Sequence, residues 1–203
     1  MFRHLMTGFF TAAVIGSTTF AQSAMAEPVN VRGAIVSSSD QTLKVKTRED
    51  ETVDIALAEG WMVSGVARAD LADIKPGDYV GIASLPMNDG GSGALEVLIF
   101  PPALKGTGEG SFGWDLKPDS TMTNATVADA VKDVDGRTVT VSYHGKEKKI
   151  AIPEGTPIVT FAAATKDDLK PGAVVFIPAE KGSADTITAQ QVVVGTHGAT
   201  PPM

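Results

Sequence analysis

Cysteine is absent from the 203-residue chain, and its absence excludes several kinds of chemistry. Without a thiol the chain cannot form a disulfide, use a cysteine nucleophile, bind metal through sulfur or carry a lipid on cysteine. Histidine is nearly as scarce, since only His144 and His197 follow the first 26 residues. Neither has the i, i+4 spacing or the neighbouring carboxylates that are typical of a zinc enzyme. Packing alone must therefore stabilise the fold.

Long apolar runs are also scarce, because only residues 5–20 form one. That run is shorter than the roughly 20 residues that a membrane-spanning helix needs. It follows the cationic start MFRH and precedes a small-x-small pattern at Ala24 and Ala26, which is the layout of a secretory signal peptide. The sequence therefore predicts a signal peptide at 1–26, a periplasmic location, and no membrane span after cleavage.

Positive charge is the minority sign in the predicted mature chain. Without residues 1–26, 16 basic and 24 acidic side chains remain, a net charge of −8. An acidic surface repels phosphate backbones, so nucleic acid is not expected as a partner. The remaining length suits one large domain or two small ones, and it leaves the oligomeric state open.

Helical periodicity is largely missing, and a period of two takes its place. Leu43 and Val45 alternate with Lys44 and Lys46, as expected of a half-buried antiparallel strand. The same alternation returns at 53–57, 139–143 and 150–152. Turn dipeptides separate these segments, namely Glu49-Asp50, Asp135-Gly136 and His144-Gly145. The pattern indicates an all-β protein.

One phrase occurs twice in the chain. DIKPGDYVGI at 73–82 returns as DLKPGAVVFI at 168–177, and the flanking strands and Glu-Gly pairs keep nearly the same spacing. Such self-similarity indicates an internal duplication. Each Lys-Pro-Gly follows a short stretch that resembles a helical or 3₁₀ turn, and Pro and Gly then direct the chain back into a strand.

The order of strands, helical turn and strands resembles an OB-fold in each copy. We therefore predict two small OB-like antiparallel barrels, joined by a Gly/Pro-rich aromatic strap. The boundaries are 1–26 for the signal peptide, 27–101 for the first repeat, 102–123 for the strap, 124–196 for the second repeat and 197–203 for a tail.

The strap has no counterpart after the second repeat, and long unduplicated connections are often functional. It is rich in Gly and Pro but also carries aromatic residues that favour burial. Its glycines match G-x-G-x-x-G by letter, yet Pro118 prevents the helix that dinucleotide binding requires. We predict a ligand or partner site around Glu109, Phe112, Trp114 and Asp115. The alternative is a purely structural strap.

Metal binding is a second hypothesis. Glu109, Asp115 and Asp119 could converge on a divalent cation, with His197 as a further candidate, although the pattern favours solvated acids over a metal site. No other cofactor is expected. Catalysis by a hydrolase is a third hypothesis. No Gly-x-Ser-x-Gly elbow or histidine-supported serine appears in the sequence, so the catalytic site of such a hydrolase would have to be assembled from residues that are distant in sequence.

The stretch ALEVLIFPPALKGTGEGSFGWDLKPDSTMTNATV at 94–127, followed by a second β unit, resembles a group of uncharacterised exported proteins of Gram-negative bacteria with two OB-like β repeats. The similarity is most specific at 106–127. The resemblance implies a periplasmic location and supplies no activity. The leading expectation is thus a non-catalytic periplasmic module that binds a small ligand or a protein partner.

Overall fold

A computed structural model describes residues 26–201, except Asp89 and residues 133–136. The predicted signal peptide (apart from Ala26), the predicted Asp135-Gly136 turn and the end of the tail lie outside the described residues. The described part is all-β with four short 3₁₀ turns and no α-helix, which confirms the predicted all-β class. Its strands are β1 (Glu27–Ser38), β2 (Thr42–Thr47), β3 (Thr52–Arg68), β4 (Tyr79–Pro86), β5 (Ser92–Ile99), β6 (Gly110–Gly113), β7 (Thr121–Lys132), β8 (Arg137–Tyr143), β9 (Lys146–Ala151), β10 (Ile158–Ala162), β11 (Val174–Lys181) and β12 (Ile187–Gly195).

The period-two pattern corresponds to the observed burial. In β2, Leu43 and Val45 are fully buried while Lys46 is exposed. In β8 the buried residues are Val139 and Val141, in β9 it is Ile150, and Ile152 just after β9 is buried as well, as expected. The tight turn between those two strands is made by His144 and Gly145, both at positive φ. Apolar alternation therefore determines which face of each strand forms a core.

Five strands form a closed barrel, called the first barrel below. Their order is β12-β11-β1-β2-β3, and parallel pairing of β12 with β3 closes the ring. The interior is filled by aliphatic side chains from all five strands, including Val31, Ile55, Ile177 and Val194. A five-stranded ring of this size leaves room for packed side chains and no channel.

The strands β4, β5, β7, β8 and β9 surround a second core and are called the second strand group. Their order is β5-β4-β7-β8-β9, and β9 returns to β5 at a single residue pair, Gly93 with Ala151. The core of this group contains Ile82, Val127 and Ile150. Strand β10 joins the two assemblies, because it pairs with β3 on one side and with β5 on the other.

Neither core is drawn from one continuous stretch of chain. The first barrel combines β1–β3 with β11 and β12, which come from the other half of the sequence. The second strand group combines β7–β9 with β4 and β5. The predicted boundaries 27–101 and 124–196 follow chain order, whereas the strands pack across those boundaries.

The two Lys-Pro-Gly turns make matching hydrogen bonds. The Gly172 N–H donates to the Ile35 carbonyl at 2.8 Å, and the Ile35 N–H donates to the Ala173 carbonyl at 2.9 Å. In the other half, the Gly77 N–H donates to the Val127 carbonyl at 2.8 Å, and the Val127 N–H donates to the Asp78 carbonyl, also at 2.8 Å. Each turn thus attaches a β-hairpin to the first strand of the other half of the chain.

Both turns follow the 3₁₀ segments that the sequence predicts, at Leu71–Asp73 and Lys166–Asp168. The strap differs from the expected irregular connection. It contains a 3₁₀ turn, Pro102–Leu104, and the strand β6, which pairs antiparallel with β7. Residues 61–67 form the second part of the long strand β3.

Candidate functional site

A cavity of about 270 Å³ lies between the first barrel and the second strand group. Its floor includes Val66 and Val193 of a small third core, with Leu98 packed beside them. Five aromatic rings form part of its walls. The rings belong to Phe100, Phe112, Trp114, Phe161 and Phe176.

The rings contact one another in two groups. Trp114 lies between Phe112 and Phe176, with ring centroids 6.4 and 6.3 Å away, and Phe100 lies 5.6 Å from Phe161. These separations are typical of favourable aromatic pairs. Phe112 and Trp114 belong to the strap, so the strap completes a wall that the strands begin.

Arg32 of β1 is the principal charged group behind this wall, and only 4% of its surface is exposed. Its guanidinium carbon lies 5.4 Å from the Trp114 ring centroid and 5.2 Å from that of Phe176. Both Nη atoms donate to Asp115, with Nη1 at 2.9 Å from Oδ2. A planar guanidinium can stack on rings and bind a carboxylate at the same time. Arg32 therefore attaches the strap to the first barrel.

The Asp115 carboxylate is a structural acceptor in this arrangement. Partial burial alone would raise its pKa, but hydrogen bonds from Arg32 and from the Asn30 amide, together with the charge of Arg32, outweigh that effect. The net result is a pKa below the ordinary value for aspartate. Asp115 consequently stays ionised and paired at neutral pH.

The other end of the strap is attached to the second strand group. The backbone N–H of His144 donates to Glu109 Oε1 at 2.8 Å, and the Tyr79 hydroxyl donates to the Thr107 carbonyl at 3.0 Å. Burial and, secondarily, the charge of Glu109 raise the pKa of Tyr79. Glu109 thus acts as a cap on a turn and does not line the cavity.

Few polar groups reach the cavity. The amides of Gln191 and Asn124 donate to Ser64 and Gly108 respectively. Glu96 is buried in the wall. The Trp114 indole N–H is buried and has no acceptor within the part of the chain that the structure describes. Because the nitrogen itself is not exposed to the cavity, a bound molecule with an acceptor would reach this donor only after the indole ring turns.

The structure brings together some of the predicted site residues and separates others. Phe112 and Trp114 line the cavity, while Asp115 lies behind it on Arg32. Asp119 is exposed, in a turn at positive φ. Among the described residues no group of three or more His, Asp or Glu could hold a metal ion. Glu109, Asp115 and Asp119 do not form such a group there.

Several residues of the site were missed at the level of sequence. Phe100, Phe161 and Phe176 lie on separate segments, and only the pairing across the two halves brings them together. Arg32 carried a usable signal, because it interrupts the apolar strand VNVRGAIV. A charge within such a strand usually has a partner, and the strap offers Asp115.

Comparison of the chain with models of known protein families, with curated proteins and with solved structures finds no match. Within residues 26–201, apart from the gaps named above, no helix has the length and hydropathy that crossing a membrane would require. The aromatic cavity itself is therefore the main basis for a functional proposal.

Proposed function

We propose that this chain is a non-catalytic binding or protein-interaction module whose site is the aromatic cavity. The observation that carries the proposal is an apolar cavity walled by five aromatic rings, two of which come from the strap. Concave, mainly apolar cavities with few polar groups are the usual form of a small-molecule site.

The volume limits the size of the bound group. Ligand sites typically measure about 300–1,000 Å³, and an apolar cavity of about 150 Å³ accepts benzene. A cavity of about 270 Å³ suits one or two fused rings, or a single aromatic side chain of a protein partner. The indole N–H of Trp114 is buried without an acceptor, and a turn of the ring toward the ligand would favour a bound ring that carries a carbonyl or ether oxygen.

Acetophenone and ethylbenzene form a matched pair of probes for this proposal, because they differ chiefly in the carbonyl acceptor. We expect both to bind, with acetophenone about two- to tenfold tighter. Ligand-detected NMR gives the affinities, and the indole N–H resonance of Trp114 should shift with acetophenone. Trp114→Phe should abolish the preference and retain ring binding.

Trp114→Ala should clearly weaken the binding of both probes while it lowers the melting temperature only slightly. Trp61→Ala is the matched control, since Trp61 is the only other tryptophan and lies 4.5 Å from the Lys166 amine, away from the cavity. A lower melting temperature with unchanged affinities, or equal effects of the two variants on binding, would indicate that the strap has a purely structural role.

The finer architecture belongs to the same proposal. The two halves would be copies of one OB-like module that have exchanged their last hairpins, so that the second strand group is a second barrel. The matching bonds of the two Lys-Pro-Gly turns support this. So do matching parallel pairs, Val192 with Val63 and Ile158 with Val97.

A periplasmic location completes the proposal, and its support is the signal-peptide layout of residues 1–26. Cell fractionation by osmotic shock tests it. The protein should be released with periplasmic markers as a chain that begins at Glu27. Retention of residues 1–26 in the membrane fraction would contradict it.

A further inference from the structure

The duplicated strand pattern allows the two assemblies to be compared position by position. The bonds of the two Lys-Pro-Gly turns place Ile35 of β1 where β7 has Val127. Ile35 pairs with Val45 of β2 as Val127 pairs with Val141 of β8, so the register continues in step. Strand pairing then relates Ser84, Thr121, Thr123 and Lys148 of the second strand group to Ala179, Val29, Val31 and Val53 of the first barrel, in that order.

The chemistry of these positions differs between the two assemblies. In the first barrel all of them are aliphatic, since Val31 and Ala179 belong to the buried core and Val29 and Val53 pack against it. In the second strand group the same positions carry hydroxyl groups and an ammonium group. The fold is therefore compatible with an apolar end here, and polar groups cost free energy when they leave water. Packing alone does not account for the polar set.

Lys148 is the centre of this polar set. Its Nζ donates to Thr121 Oγ1 at 3.3 Å and to Thr123 Oγ1 at 3.2 Å. The Ser84 hydroxyl lies 3.3 Å from that of Thr121, and the Ser111 hydroxyl of β6 lies 3.0 Å from that of Thr123. These five residues are called the lysine–hydroxyl cluster below.

The cluster has more hydrogen-bond donors than it uses internally. An ammonium group has three N–H donors, and Lys148 directs two of them to threonine. Within each hydroxyl pair one O–H donates, so the other O–H is left over. Among the described residues no carboxylate forms an ion pair with Lys148, and burial lowers its pKa below the ordinary value for lysine. A cation with surplus donors around it is suited to an anion.

The cluster is accessible from one side. Thr123 and Ser84 form its buried base, with 0% and 1% of their surfaces exposed. Thr121 and Lys148 are partly exposed, and Ser111 is exposed. A small molecule can therefore reach the ammonium group from the side on which Ser111 lies.

The aromatic cavity lies on the opposite face of the same strands. Phe112 and Met122 line the cavity and pair with each other, just as Ser111 pairs with Thr123. Successive side chains of a strand point to opposite faces, so the strap contributes to the cavity with one face and to the cluster with the other. The cluster is thus separate from the cavity, and the inference does not depend on the proposed function.

We propose that the lysine–hydroxyl cluster binds the carboxylate group of a small organic acid. One ammonium group balances one negative charge, and the hydroxyl groups donate to the carboxylate oxygens. A second negative charge is disfavoured, because the Glu109 carboxylate is already held at the end of β8 by the His144 N–H. The net charge of −7 acts in the same direction.

Tyr143 supplies apolar surface for the organic part of such an acid. Its side chain packs against the second core, so it lies on the same face of β8 as Val141. Val141 pairs with Lys148, which makes Tyr143 and Lys148 diagonal neighbours. Diagonal neighbours are about 7–8 Å apart, a distance that aromatic and long side chains span. An organic acid therefore suits the cluster better than an inorganic anion.

Sodium butyrate is the probe, because it combines one carboxylate with a short apolar chain and has no aromatic ring. Sodium sulfate is the dianionic comparison, with sodium chloride used to keep the ionic strength equal. In NMR titrations of the protein, butyrate should shift the Lys148 Cε–Hε resonance and the amides of Ser111, Thr121 and Thr123 in a saturable way. It should bind at least about threefold tighter than sulfate. Acetophenone at saturation should not displace it.

Lys148→Met should weaken butyrate at least about tenfold, because it removes the charge. The variant should fold, since Val53 shows that an apolar side chain packs at this position. Thr123→Val, which deletes one hydroxyl at nearly constant shape, should weaken butyrate about fivefold. Lys149→Met is the matched control, because it makes the same change of charge at the exposed neighbouring residue of β9. It should alter the affinity less than about twofold.

Three results would overturn the proposal. Equal losses in Lys148→Met and Lys149→Met would show that butyrate responds only to the general charge of the surface. Tighter binding of sulfate would contradict the carboxylate class, and butyrate shifts confined to the aromatic cavity would contradict the location. If Lys148→Met does not fold, the Lys148 resonance of the unaltered protein decides the question, since a saturable shift supports the proposal and an unchanged resonance overturns it.

Discussion

Arg32 shows how a single residue connects the strap to the frame. Its guanidinium is buried, lies against two rings and donates twice to Asp115. A buried cation is costly unless it is paired, so Asp115 removes a penalty as much as it adds an attraction. The aromatic wall of the cavity consequently depends on a carboxylate that never contacts the cavity.

Replacing Asp115 with alanine should lower the free energy of unfolding by about 1–3 kcal/mol, since it leaves the Arg32 charge buried without its partner. Urea denaturation measures the change. Asp54→Ala is the matched control, because its ion pair with Lys44 is largely exposed and should contribute less than about 1 kcal/mol. Equal losses in the two variants would show that Arg32 does not need Asp115.

The depressed pKa of Asp115 gives a pH dependence with a definite sign. A carboxyl group whose pKa is lower in the folded state stabilises the fold above its unfolded pKa, near 3.9. That contribution disappears as the pH falls through the folded pKa. The stability difference between the wild type and Asp115→Asn should therefore be constant from pH 5 to 7 and shrink below about pH 4. A difference that grows on acidification would contradict the assignment.

At the scale of elements, the two Lys-Pro-Gly turns are the points where the chain passes from one assembly to the other. Gly77 and Gly172 have φ values of 91° and 87°, and a Cβ on either would meet nothing within 4 Å. Any cost of a side chain there comes from backbone conformation alone. The repeated sequence is thus explained by a repeated backbone requirement.

Gly77→Ala and Gly172→Ala should each destabilise the protein by about 1–2 kcal/mol, because alanine resists positive φ. Gly113→Ala is the control, since that glycine lies in β6 without positive φ and without nearby atoms. It should be neutral or slightly stabilising. Thermal denaturation compares the three variants. A loss at Gly113 equal to the loss at the turns would indicate that backbone conformation is not the cause.

The strands themselves were predictable, whereas their partners were not. Alternation at Leu43 and Val45, or at Ile150 and Ile152, identifies a buried face without naming the strand that covers it. Strands β4 and β11 carry similar apolar patterns, so the pattern alone does not determine which of the two strands packs in which core. For that reason Phe112 and Trp114 could be proposed from the strap, while Phe176 on the opposite wall could not.

On the scale of the whole molecule, each core depends on strands from both halves of the chain. Ile177 comes from the later half and packs in the first barrel, while Ile82 comes from the earlier half and packs in the second strand group. Neither half of the sequence contains a complete core. Unfolding should accordingly be a single cooperative event.

Core substitutions test this crossing of the halves directly. Ile177→Ala should cost about 2–5 kcal/mol and should speed amide hydrogen exchange in β1–β3 more than in β7–β9. Ile82→Ala should have the reverse effect. The two isoleucines occupy corresponding positions, so each serves as the control for the other. Exchange that rises only in strands of the same half would contradict the observed pairing.

The position of the cavity between both assemblies has a thermodynamic consequence. A molecule held there contacts side chains from each of them, so its binding is linked by mass action to the folding of the complete chain. At a hundred times its dissociation constant, such a ligand would add about 2.7 kcal/mol to the unfolding free energy. A simple thermal-shift screen of aromatic metabolites would then identify ligands without any assay of activity.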